Sequence, residues 1–161
     1  MTFSVAILTT SDRASQGIYE DKSGKILVEL FEQFGFDVVA YDIVADDYDL
    51  IKEKLDSYSF NKISLIITSG GTGFSKRDVT VDATIDSIDK LTPGIAEAMR
   101  NEGAKITPLA YLSRAAAGIK DESLIINFPG SPKACKENFD IIKPFIIHAL
   151  QTISGIDNHN I

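Results

Sequence analysis

The chain has 161 residues, 44% of them apolar, with 16 basic and 23 acidic side chains and a formal net charge of −7. That length suits one compact domain burying roughly 70% of its unfolded surface, and the composition excludes a wholly disordered chain. One cysteine, Cys135, and two histidines exclude an intramolecular disulfide and a structural zinc site of four Cys/His ligands. The acidic balance excludes a broadly basic nucleic-acid footprint, and no apolar run approaches the ~20 residues of a membrane span.

The opening stretch has no basic region and reaches polar Thr9-Thr10-Ser11-Asp12 too soon for a signal peptide, so a reducing cytoplasm is the expected compartment. Val5 to Leu8 is a short continuous apolar run and predicts a buried strand. Ile26, Leu27, Leu30, Phe31 and Phe34 mark one face of a helix over 24–34, with Gly35 as its stop. Residues 36–44 predict a second strand, and Ile51, Leu55 and Tyr58 place a helix over 47–58. Ile63 to Ile67 predicts a third strand. Strand and helix thus alternate through the first half, which argues for α/β with parallel strands and crossover helices.

Thr80 is a predicted cap for a helix carrying Val81, Ile85 and Ile88. Thr92 and Pro93 are an N-cap and N1 pair for another, ending near Gly103. Leu109 to Leu112 and Leu124 to Phe128 are apolar stretches, either an antiparallel pair or two separate strands, with a turn expected over 118–123. Ser131 and Pro132 open a last helix with Cys135, Phe139, Ile142, Ile146, Leu150 and Ile153 on one face, kinked at Pro144. The domain is expected over 1–154 and a polar tail over 155–161.

Chemistry concentrates after the third strand. Thr68-Ser69-Gly70-Gly71-Thr72-Gly73-Phe74 has three glycines in four positions, and such a loop turns backbone amides towards an anion. The carboxyl end of a parallel strand is where ligands gather in open α/β sheets. Neither a Walker A motif nor a Gly-x-Gly-x-x-Gly pattern is present. Lys76, Arg77 and Asp78 follow. A carboxylate beside bound phosphates requires a cation such as Mg²⁺ between them, whereas a plain reading makes Asp78 or Asp82 a helix cap. Asp46 and Asp47 follow the second strand, and their plain reading is a solvated helix N-terminus. Pro129 to Lys133 offers a second anion position ahead of a helix. Ser113-Arg114 is either a ligand pair or an exposed dipeptide. His148 and His159 pair with no nucleophile, which argues against a Ser-His-Asp enzyme.

These segments, in this order, resemble the MogA/MoaB family of molybdenum-cofactor biosynthesis proteins, whose domain also forms the G domain of gephyrin and the plant Cnx-type proteins. The resemblance is carried by residues 10–15 (Thr-Ser-Asp-Arg-Ala-Ser), 19–24 (Tyr-Glu-Asp-Lys-Ser-Gly), 68–73, Arg77-Asp78-Val79-Thr80, Thr92-Pro93-Gly94, Leu112-Ser113-Arg114 and 126–131 (Ile-Asn-Phe-Pro-Gly-Ser), and it spans residues 3–153. Residues 76–84 look like the MogA version, with Val81 where proline is usual. Residues 131–135 are similar to MoaB and gephyrin-like ends.

The resemblance implies a three-layer α/β/α fold with a mostly parallel sheet, and a homotrimer. It implies molybdopterin adenylyltransferase activity, in which the terminal phosphate of molybdopterin attacks the α-phosphate of Mg-ATP and pyrophosphate leaves. The product would pass to a MoeA-type molybdate insertase. Position by position, it implies Asp46 and Asp78 as the catalytic, Mg²⁺-binding carboxylates; the missing proline in Val44-Ala45-Asp46-Asp47 leaves Asp47 as the alternative to Asp46. Substrate binding falls to Ser69, Gly70, Gly71, Thr72, Gly73, Ser113, Asn127, Pro129, Gly130 and Ser131. Asp12 and Asp21 match motif positions without an assigned role. The competing expectation is a non-catalytic molybdopterin or nucleotide carrier or scaffold of the MoaB type.

Overall fold

A computed structural model describes residues 1–156. His159 and most of the expected tail, residues 157–161, lie outside the described residues.

The chain runs through β1 (Ser4–Thr10), α1 (Asp12–Ser15), α2 (Lys22–Gln33), β2 (Asp37–Val44), α3 (Tyr48–Phe60), β3 (Leu65–Ser69), α4 (Thr80–Ser87), β4 (Lys90–Leu91) and α5 (Pro93–Ala104). A 3-10 helix (Pro108–Leu112) leads to β5 (Ala117–Lys120), β6 (Ser123–Phe128), α6 (Pro132–Ile142) and α7 (Ile146–Ile153). The strands form one sheet in the order β2-β1-β3-β6-β5-β4. The first four are mutually parallel, and β5 is antiparallel to both β6 and β4.

Alternation along each strand builds two cores, because successive side chains leave a strand on opposite faces. Val5, Ile7, Leu65, Ile67, Leu124 and Ile126 face α2, α6 and α7 through Leu27, Phe31, Phe139, Ile142 and Leu150. Ala6, Leu8, Ile66 and Ile125 face α3 and α4 through Ile51, Leu55, Tyr58 and Ala83. The result is the expected α/β/α sandwich. Central strands β1, β3 and β6 are covered on both faces, which is why each reads as a continuous apolar run.

Several local expectations give way. Leu109 to Leu112 is not a strand. Pro108 cannot donate to a ladder, the Thr107 hydroxyl accepts from the Leu109 amide, and the segment winds into a 3-10 helix. The antiparallel partner of β6 is Ala117–Lys120, which overlaps the stretch over 118–123 that reads as a turn. Thr80 does not cap α4: Val79 holds that position with no side-chain bond, and the Thr80 hydroxyl is 2.8 Å from that of Thr10. Thr92 and Pro93 do occupy the N-cap and N1 of α5, but the Thr92 hydroxyl makes no capping bond. Pro144 does more than kink the last helix: it separates α6 from α7, because residue 144 has no amide to continue the ladder.

Cys135 sits fully buried on α6, its thiol donating to the Pro129 carbonyl at 3.1 Å. Burial pushes the thiol up to about 11. Since the thiolate is the reactive form, native protein at pH 8 is expected to resist iodoacetamide and to take one label after unfolding in urea. Intact mass spectrometry reads both states, and native labelling would show that α6 opens locally.

Candidate active site

The strand order reverses between β1 and β3: the chain leaves β1 for β2 on one side and enters β3 on the other. Crevices form at such a switch point, outside the carboxyl ends of the strands. Four loops converge there: residues 11–12 after β1, Ala45 to Asp47 after β2, Gly70 to Gly73 after β3 and Pro129 to Ser131 after β6.

The glycine loop is built for close approach. Gly70 has φ +103°, and a Cβ there would lie 2.4 Å from the Thr10 carbonyl oxygen. Gly71 has φ +65°, and its Cβ would lie 2.1 Å from the Thr80 hydroxyl. The Gly70 amide is spent on the Phe128 carbonyl at 3.1 Å, which fixes the start of the loop. Among the described residues, no acceptor is paired with the amides of Gly71, Thr72 and Gly73. Three consecutive amides without a protein acceptor are donors of the kind an anion takes in such turns.

Two cavities share this loop as a wall. A cleft of about 630 Å³ is lined by Ser69, Gly70, Gly71, Asp46, Asp78 and Gly130, with residues 19–23 opposite. A second, mostly apolar cavity of about 330 Å³ is lined by Thr72, Gly73, Ser113, Pro129, Met99 and Leu112 among others. Most of the residues singled out in the sequence therefore divide into two groups that meet at the loop.

Asp46 and Asp47 separate cleanly in the structure. Asp47 caps α3, its Oδ1 accepting from the Leu50 amide at 3.0 Å. Asp46 lines the cleft, and its Oδ2 accepts from the Asp12 amide at 3.0 Å. Burial raises the Asp46 carboxyl above its ordinary value, and the charges of Asp12 and Asp78 push the same way; the Asp12 amide and Arg77 oppose them. Asp78 belongs to a tight turn: its amide donates to the Ser75 carbonyl and its Oδ2 accepts from the Ser75 amide at 2.9 Å. A Cβ on Gly73 would sit 2.9 Å from that same Oδ2, so the absent side chain is what lets the carboxylate lie against the loop.

Two expected binding residues are placed elsewhere. Asn127 is fully buried, accepts from the Ala116 amide, and donates to the hydroxyls of Thr68 and Thr84. It ties β6 to the end of β3, to α4 and to the residue ahead of β5, and it lines neither cavity. Ser131 lines neither cavity; its hydroxyl accepts from the Ala134 amide and caps α6. The plain reading of that position, a turn with an N-cap, describes its side chain. Asp21 likewise caps α2 at the Gly24 amide, accepts from the Tyr41 hydroxyl at 2.6 Å, and lines the cleft.

Arg114 is the residue whose role the sequence concealed. Its Nε donates to the Gly73 carbonyl at 3.0 Å, its Nη2 to the Asp78 carbonyl at 2.8 Å, and its amide to the Thr72 carbonyl at 2.8 Å. The guanidinium also pairs with Asp82, holding that carboxyl below its ordinary value. One planar fork thus fastens the loop, the Asp78 turn and the first turn of α4. The contacts span more than 30 residues of chain, so no local spacing announces them.

The chemistry of the donor set suits a small hard cation. Among the described residues no group of three or more His, Cys, Asp or Glu side chains could hold a metal by itself. Mg²⁺ is ordinarily held by one or two carboxylates together with water and substrate phosphates. Asp46 and Asp78, in one cleft beside an anion loop, fit that pattern.

A mostly parallel α/β sheet with a glycine loop and two carboxylates at its switch point defines an α/β protein of the open-sheet class, in which ligands gather at that crevice. Residues 6–148 match the family described as "Probable molybdopterin binding domain", and the chain belongs to that family. It is 42% identical over 160 residues to a molybdopterin adenylyltransferase of Helicobacter pylori, covering 96% of this chain and 89% of that protein. The molybdopterin adenylyltransferase of Escherichia coli K12 is 35% identical over 148 residues, covering 88% and 74%. The crystal structure of the molybdopterin biosynthesis enzyme MoaB from Thermus thermophilus superposes with a TM-score of 0.91 at 39% identity, covering 96% of this chain and 98% of that one.

Proposed function

We propose that this protein is a molybdopterin adenylyltransferase of molybdenum-cofactor biosynthesis, joining AMP from ATP to the terminal phosphate of molybdopterin. The observation that carries the reading is the glycine loop shared by two cavities. Transfer between two anionic substrates needs their phosphates side by side, and a single loop with three free amides walls both spaces. The family and the names of its relatives support the same activity.

In this reading a molybdopterin phosphate oxygen attacks the α-phosphorus of ATP. The new P–O bond forms as the bond to the β-phosphate bridging oxygen breaks, and pyrophosphate leaves. The amides of Gly71, Thr72 and Gly73 donate to the phosphate oxygens, where negative charge is densest in the transition state. Asp46 and Asp78 hold Mg²⁺, which when bound neutralises phosphate charge that the two carboxylates would otherwise repel. Arg114 keeps the loop and the Asp78 turn in register, so the donors are in place before substrate arrives. No covalent enzyme intermediate is required. The reading further includes a cytoplasmic homotrimer that hands its product to a MoeA-type molybdate insertase.

The test is incubation of purified protein with molybdopterin and Mg-ATP, following pyrophosphate release and the adenylylated pterin by mass spectrometry. Pterin-dependent turnover is expected. Tight pterin binding without turnover would sink the enzymatic reading and leave a carrier of the MoaB type.

A further inference from the structure

Asp12 engages its neighbours with both main chain and side chain. Its amide donates to Asp46 Oδ2 at 3.0 Å, and its Oδ1 accepts from the Asp46 amide at 3.0 Å. This reciprocal pair ties the end of β1 to the end of β2. The same carboxylate receives a two-pronged grip from Arg77, Nε to Oδ2 at 3.0 Å and Nη2 to Oδ1 at 2.8 Å. Arg77 immediately precedes Asp78, within the turn that holds the Asp78 carboxylate. One side chain therefore joins, through hydrogen bonds, the two segments that bring carboxylates to the cleft.

Stability alone does not account for this arrangement. The Arg77 side chain is 64% exposed and that of Asp12 34%, and exposed ion pairs contribute little to folding. What the fork supplies is geometry, since a planar guanidinium holding both carboxylate oxygens sets direction as well as distance. Asp46 follows an edge strand and Asp78 lies in a loop. Among the described residues, Asp12 and Arg77 form the direct hydrogen-bonded bridge between those two segments.

We propose that Asp12 and Arg77 are positioning residues, a brace that sets the separation of Asp46 and Asp78 and thereby the affinity of the cleft for the divalent cation that accompanies the nucleotide. The proposal rests on the reading of Asp46 and Asp78 as the cation's carboxylates. Asp12 and Arg77 act through those carboxylates and take no part in bond making.

The experiment uses Mn²⁺ as a paramagnetic probe, with adenosine α,β-methylene triphosphate in place of ATP so that no turnover occurs. Free Mn²⁺ is read by electron paramagnetic resonance for the wild type, Arg77→Gln, Asp12→Asn, the double variant, Arg77→Lys and Asp78→Asn. Arg77→Gln and Asp12→Asn are each expected to weaken Mn²⁺ binding about 10–100-fold, as loss of a partner that orients a metal ligand does. The double variant should lose no more than either single one, because both remove the same brace. Arg77→Lys, which keeps the charge and loses the fork, should fall between. The melting temperature of Arg77→Gln should stay within about 2 °C of wild type, as removal of an exposed pair implies. Wild-type Mn²⁺ affinity in Arg77→Gln alongside loss in Asp78→Asn would overturn the brace alone, and so would additive losses in the double variant. Wild-type affinity in Asp78→Asn would instead overturn the reading of the cleft as the cation site.

Discussion

Asp78→Asn is expected to lower the rate of pyrophosphate release by about 10²–10³-fold, the usual cost of removing one electrostatic contributor from a transition state with concentrated charge. The substitution preserves shape. The asparagine carbonyl oxygen can still accept from the Ser75 amide, the bond that holds the turn, and it still fits against Gly73. Only the charge is lost, so the melting temperature should hardly change. Single-turnover kinetics with saturating molybdopterin measure the effect, and calorimetry checks the fold. A variant that retains full activity at limiting Mg²⁺ would remove Asp78 from the metal site.

Gly70→Ala should both unfold the protein earlier and abolish activity. Its Cβ would meet the backbone oxygen of Thr10 at 2.4 Å in a φ +103° conformation that L side chains rarely adopt. The obstacle is backbone of a central strand, which cannot swing aside as a side chain end can. Left-handed strain and overpacking of this kind together cost about 3 kcal/mol, or about 6–12 °C in melting temperature for a chain of this size. Gly94→Ala is the matched control. Gly94 lies in the first turn of α5 with open space where a Cβ would sit, so alanine there should be neutral or stabilise by up to about 1 kcal/mol. Equal losses from the two changes would show that the loop conformation is not what Gly70 supplies.

Legibility in the sequence followed burial. The middles of strands β1, β3 and β6 are buried on both faces and are apolar, so the runs stand out, while the buried polar residues fall at the strand ends. Where packing is less demanding the pattern misleads. Residues 118–123 read as a turn opening at Gly118, yet that glycine lies inside a strand: a Cβ there would be 2.7 Å from the Lys90 carbonyl oxygen and 2.5 Å from Ile88 Cδ1. Close approach of neighbouring backbone, rather than a reversal, requires it. Leu109, Tyr111 and Leu112 form the opposite case. They look like core but are more than half exposed on the 3-10 helix, where Pro108 prevents strand pairing.

The candidate site divides in the same way. The glycine loop and its position after a buried strand are local features, and local features are what a sequence displays. So are the caps at Asp47 and Ser131, whose side chains reach amides three residues ahead. Asn127 carries no local sign that it is a buried strut, because its partners Thr68, Thr84 and Ala116 come from elsewhere in the chain. The grips of Arg114 on the glycine loop and of Arg77 on Asp12 are equally remote in sequence.

By itself the sequence determined the alternation of helix and strand, the mostly parallel α/β class and the glycine loop after the third strand, since periodicity and glycine content express short-range constraints. Only the tertiary structure decided which of two adjacent aspartates enters the cleft, that one loop walls two cavities, and which arginines hold it. Those are matters of distance between segments far apart along the chain, and they are settled when the sheet brings the carboxyl ends of β2, β1, β3 and β6 together.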